Sequence, residues 1–133
     1  MNKVTEKDIE TEILNYLDSL GGFVMKINVG GRPLLLPSGK MIMMPFKNIY
    51  SRKGISDIFW IHNGLFHAFE VKKHTEHKFI EKHYERLLQG GFSSDNKQHK
   101  RWHDQIIFIE NIKKNGGKAG FVYSIDCVKS LLG

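Results

Sequence analysis

Apolar positions crowd most densely into residues 54–72, where Ile58-Phe59-Trp60-Ile61 and Leu65-Phe66-His67-Ala68-Phe69 flank Asn63-Gly64. Asn-Gly between two aromatic-rich apolar runs is the strongest short-range hairpin signal, since a two-residue reversing turn needs positive φ at both positions. With the loop centred there, His62 faces Leu65 and, counting outward, Asp57 faces Glu70. Directly opposed side chains on an antiparallel pair sit about 5 Å apart at Cβ. Lys72 shares the face of Glu70, because strand side chains alternate with period two. The pattern thus gathers two carboxylates and an ammonium at the open end of one hairpin.

On either side the periodicity changes. Thr5 reads as a helix cap. Ile9, Ile13, Leu17 and Leu20 then recur at helical spacing until Gly21-Gly22. Glu10 lies at the edge of that stripe, while Glu6 and Asp8 read as solvated. A strand is predicted over 23–29, and a short hairpin pairs 34–36 with 41–44 around Pro37-Ser38-Gly39-Lys40. The loop at 45–53 carries Lys47, Arg52 and Lys53 just before the acidic hairpin. A helix over 75–88 is predicted to turn Phe79, His83, Leu87 and Leu88 inward before Gly90-Gly91. A second runs from 97 to 114, with Trp102, Ile106, Ile109 and Lys113 along one stripe and Gln105 beside it. The last strand is expected at 120–125, with Asp126 capping a closing helix through Leu132.

Composition narrows the class. The 133 residues are 41% apolar and 26% charged, which describes one globular domain rather than a disordered chain. The single cysteine, Cys127, is expected as a buried thiol and excludes an internal disulfide framework. The first residues lack the apolar core of a signal peptide, and no run is long enough to span a bilayer, so the expected compartment is cytoplasmic with no membrane partner. A net charge of +6 suits a polyanion such as nucleic acid. Five of the seven histidines fall between residues 74 and 103. They come without cysteines and without His-Glu-x-x-His spacing, which argues against zinc.

Opposed like charges destabilise a sheet, and Glu70 also interrupts the apolar run Ala68-Phe69-Glu70-Val71. A solvated Glu70–Lys72 pair would explain a lone Glu-x-Lys. Convergence of Asp57 on Glu70 is better explained by a hard cation: magnesium takes one or two carboxylates together with water and phosphate oxygens.

Taken in order, Glu10, Asp57, Glu70-Val71-Lys72 and Gln105 resemble the PD-(D/E)xK nuclease superfamily, and within it the VRR-NUC nucleases and related Holliday-junction resolvases. Nearly the whole chain takes part in the resemblance. It implies an α/β fold with a restriction-endonuclease-like core, a mixed central sheet flanked by helices. Residues 1–133 would form a single VRR-NUC-like domain with a His-rich helical insertion at about 74–96. The implied activity is a Mg2+- or Mn2+-dependent DNA endonuclease selective for branched DNA, acting as a homodimer. A catalytically silent basic DNA-binding module and a ribonuclease of the same fold are the alternatives. By resemblance Glu10, Asp57, Glu70, Lys72 and Gln105 are catalytic, with Gln98 the second choice for the glutamine. Asp57, Glu70 and the Val71 carbonyl hold the metal. Lys47, Arg52, Lys53 and Lys73 contact DNA. Ser56 stands where the family usually has proline before the aspartate.

Overall fold

The structure is a computed structural model that describes residues 4–27, 32–44, 54–90 and 96–133. Helix α1 (Glu6–Ser19) opens with a capping box: the Thr5 hydroxyl accepts the Asp8 N–H while the Asp8 carboxylate accepts the Thr5 N–H. Its buried stripe is Ile9, Ile13 and Leu17; Leu20, one turn on, is exposed. Strand β1 (Phe23–Lys26) follows, then β2 (Arg32–Leu35) and β3 (Met41–Met44), which pair only with each other among the described strands. The predicted hairpin forms as β4 (Ile58–His62) and β5 (Leu65–Val71). Asn63 and Gly64 take φ of 51° and 77°, the positive pair that a two-residue turn matching the sheet twist requires.

Helices α2 (His77–Leu88) and α3 (Lys97–Lys114) come next, followed by β6 (Lys118–Val122) and α4 (Ile125–Leu132). The four-stranded sheet runs β1-β4-β5-β6, with β6 parallel to β5 and the other pairs antiparallel. The molecule is therefore α/β, a mixed sheet flanked by helices. One face packs on α1 and α4 through Ile13, Leu17, Trp60, Phe69, Val71 and Val128. On the other face Ala68 and Ala119 meet Ile109 of α3, with Phe59, Phe66 and Phe108 around them. Among the described residues no helix is long and apolar enough to cross a membrane.

Several expected boundaries shift. A short 3-10 turn, His74–Glu76, precedes α2, whose inward stripe is Ile80 and His83. Phe79 and Leu88 are instead exposed, because Ile80 fills the space between Trp102 and Tyr123 and sets the rotation of the helix. On α3, Gln105 is buried within the stripe and Lys113 is exposed. The last strand ends at Val122, and Ser124 rather than Asp126 caps α4, accepting the Cys127 N–H. Cys127 is half-buried. The predicted insertion is not an appendage: the part described, 74–90, packs α2 onto α3 through Ile80, His83 and Trp102. Lys47, Arg52 and Lys53 lie outside the described residues, as do residues 28–29 of the predicted first strand and 91–95 of the insertion.

Candidate functional site

Register decides the site. The β4–β5 ladder runs from His62↔Leu65 to Ile58↔Phe69, so Asp57 and Glu70 are the next pair outward. Asp57 leaves the ladder there and is held twice. Its carbonyl accepts the Ile27 N–H at 2.7 Å, and its carboxylate accepts the Val71 N–H at 2.8 Å. Phe69 and Val71 point into the α1/α4 core, so Glu70 is turned with Ala68 toward α3. The small Ala68 side chain lets α3 come close, and Gln105 Nε2 donates to Glu70 Oε1 at 2.8 Å. Lys72 Nζ lies 3.7 Å from the same oxygen. Both Glu70 and Lys72 are buried, at 4% and 6% exposure.

The other oxygen, Glu70 Oε2, is buried without a hydrogen-bond partner among the described residues, as are Gln105 Oε1 and Ser56 Oγ. A buried carboxylate in that condition resists ionisation. Burial first, then the facing Asp57, push Glu70 up to about 9, against the pull of Lys72. Burial also raises Asp57, opposed by the Val71 N–H and by a hydrogen bond shared with Glu70. Two carboxylates can share a hydrogen bond only if one carries a proton. At neutral pH a single proton on the pair thus does what a bound cation would do, neutralising like charges that face one another.

Gly54 fixes the third wall. It has φ of 70°, and a Cβ there would overlap the Asp104 carbonyl and the Gln105 nitrogen. The backbone before Asp57 therefore rests directly on the turn of α3 that carries Gln105. Gln98, two turns earlier, instead gives its backbone N–H to the Asn96 cap.

The first helix contributes more than expected. Glu10 pairs with Lys26 at 3.1 Å, and its charge raises Asp57. Glu6, read from the sequence as solvated, is half-buried; burial raises its pKa, and Lys72, Asp57, Glu76 and Glu10 all act on it. The signal was present in the spacing, because residues four apart share one helix face. The structure thus gathers Glu10, Asp57, Glu70, Lys72 and Gln105 into one electrostatic neighbourhood and adds Glu6. Lys73 is exposed and stands outside it.

No family model, curated protein or solved structure matches the chain.

The donor set fits a small hard cation better than a soft one. Among the described residues no group of three or more His, Cys, Asp or Glu side chains converges as a metal site. The Asp57–Glu70 pair is the number of carboxylates that magnesium takes when water and phosphate oxygens complete its shell. The unpartnered Glu70 Oε2 is the atom such an ion would satisfy. The histidines serve packing instead. His83 lies between His99 and Trp102, at ring separations of 5.2 and 5.8 Å, and His77 sits 4.5 Å from the Tyr123 ring.

Proposed function

We propose that this chain is a metal-dependent endonuclease of the PD-(D/E)xK type that hydrolyses phosphodiester bonds in DNA. The observation that carries the reading is the buried Glu70 carboxylate, facing Asp57 and bonded by Gln105 and Lys72, with one oxygen left unpartnered. A carboxylate buried for stability alone would be replaced with advantage by an apolar side chain, since burying a charge costs several kcal/mol and its ion pair only partly offsets that. The element order supports the same reading. A helix, three antiparallel strands, helices and a final parallel strand match the restriction-endonuclease-like core that the motif resemblance implies.

Magnesium or manganese, held by Asp57, Glu70 and the Val71 carbonyl, supplies Lewis-acid polarisation of the phosphate and eases deprotonation of water. The protein groups do the rest. Gln105 fixes the Glu70 carboxylate so that its free oxygen faces the substrate side. Lys72 sets a permanent positive charge where negative charge builds on the phosphate, in a buried setting where it is worth more than in water. Glu10 and Glu6 orient water and the Lys72 ammonium from the first helix. Lys73, with Lys47, Arg52 and Lys53, holds the duplex by its phosphates. Cutting both strands of a branched substrate takes two such sites, and we assign them to a homodimer.

The test is cleavage of plasmid, flap and four-way-junction DNA in magnesium, manganese or chelator. Wild type is expected to cut only with metal, and Glu70→Gln and Asp57→Asn to lose at least a hundredfold in rate while remaining folded. Metal-independent cutting, or wild-type turnover by either variant, contradicts the assignment. Tight binding of DNA with no cutting in any metal would leave the chain a DNA-binding module.

A further inference from the structure

Lys72 and Lys73 are neighbours with opposite surroundings. One is buried beside Glu70, and the other lines a separate cavity of about 730 Å3 on the far side of the chain. Thr5, Ile9 and Glu12 of the first helix form one wall of that cavity; His74 and Thr75, the residues after Lys73, form another, and Tyr123 belongs to its lining. Its size lies in the range of small-molecule sites and far exceeds what one ion or water needs.

Its chemistry is not that of an anion pocket. Lys73 is opposed by Glu12 within the same lining. The first turn of α1 adds Glu6 and Asp8, so no net positive charge collects there. What the cavity offers is an apolar surface at Ile9, hydroxyl groups and imidazole. The Thr5 hydroxyl accepts the Asp8 N–H at 3.1 Å, which leaves its own hydrogen to donate. Glu12 can only accept. The rings of His74, His77 and Tyr123 follow one another at 6.2 and 4.5 Å, an aromatic series beginning at the cavity wall. A flat, neutral ligand with ring faces and both donor and acceptor edges fits this set. A nucleobase is such a ligand, and Lys73 at the border would take its phosphate.

We propose that the cavity receives one unpaired nucleobase from the strand whose neighbouring phosphate lies at Lys72. The inference rests on the nuclease reading and deepens it. A base inside a Watson–Crick pair cannot enter the cavity, so occupancy selects DNA with a single-stranded arm or a junction opening beside the cleaved bond. Stacking on an aromatic or imidazole face is tolerant of sequence, so the selection is by structure.

The experiment compares binding of a flap duplex with binding of the blunt duplex of the same sequence, in chelator so that nothing is cut. A 2-aminopurine replaces the unpaired base nearest the branch. Wild type should prefer the flap about tenfold, within the range that stacking one base accounts for, and 2-aminopurine fluorescence should change on binding. His74→Ala removes the first ring, and Thr75→Phe fills the cavity from an exposed position. Each should cut the flap-to-blunt ratio to near one, with melting curves confirming the fold. Equal wild-type affinity for the two duplexes overturns the proposal, and so does a preference that survives both variants. The nuclease reading fails separately: a preference abolished by both variants in a protein that never cuts sustains the cavity alone. Metal-dependent cutting without flap preference removes the cavity and leaves the catalytic site.

Discussion

At residue 70 a carboxylate is enclosed by Phe69, Val71, Lys72 and Gln105, and its pKa rises to about 9 from an ordinary 4.5. The folded state therefore holds a proton that the unfolded state has released. Stability from this group is intact below about pH 4.5 and drains away as pH climbs toward 9. Glu70→Gln removes the titration with little change of shape. Its melting temperature in chelator should match wild type near pH 4 and exceed it at pH 8 by at least about 4 °C, the shift that roughly 1 kcal/mol produces in a domain of this size. A constant gap across that range would mean that Glu70 is ionised throughout. Asp57 behaves differently. Asp57→Ala strands the Val71 N–H, at about 1–3 kcal/mol for a buried donor, whereas Asp57→Asn keeps an acceptor. Lys72 and Lys73 separate chemistry from binding. Lys72→Ala should lower the single-turnover rate by orders of magnitude at saturating metal and DNA, as for an interaction made in the transition state. Lys73→Ala should act on affinity and be rescued by excess DNA. Equal losses would place both side chains in one role. These residues were readable because a period of two and a known turn fix who faces whom. Glu6 was not, because an acid in a first helical turn has an ordinary reason to be there.

Elements meet at the site through close backbone approach, and Gly54 is the clearest case. With φ of 70° and α3 against its Cα, Gly54→Ala must push away the turn bearing Gln105. Loss of the 2.8 Å bond from Gln105 to Glu70 should follow. The variant is expected to cleave at least tenfold more slowly, and a double variant with Gln105→Ala should be little worse than either alone, since both break one contact. Additive losses in a double-mutant cycle would show that Gly54 acts elsewhere. Helix phase, in contrast, was only partly legible. The sequence of α2 offers Phe79 and Ile80 as neighbouring apolar candidates, and either could have faced inward. The choice fell to Ile80 because the gap it fills is shaped by Trp102 and Tyr123, from distant parts of the chain. For the same reason Ser124, in extended conformation at φ −168°, became the cap of α4 in place of Asp126.

For the molecule as a whole, 20 Lys and Arg against 14 Asp and Glu give +6, while five acids, Glu6, Glu10, Asp57, Glu70 and Glu76, lie in or around the site. The basic surplus must then lie away from the chemistry, where it attracts DNA as a whole. Affinity for DNA in chelator should fall steeply across a salt series, with a log–log slope of about −0.9 per phosphate neutralised. A flat response would exclude phosphate contact as the main source of binding. Fold class, hairpin register, the Asp57–Glu70 pairing and the caps of α1 and α3 were determined by local sequence: turn chemistry, side-chain period and capping hydroxyl or amide groups act over a few residues. Burial of Glu70, its bond to Gln105 thirty-five residues away, the entry of Glu6 and the opposite surroundings of Lys72 and Lys73 were decided by tertiary structure. Each depends on which helix closes over which strand face. That closure is a packing competition among distant side chains, and no local pattern encodes its outcome.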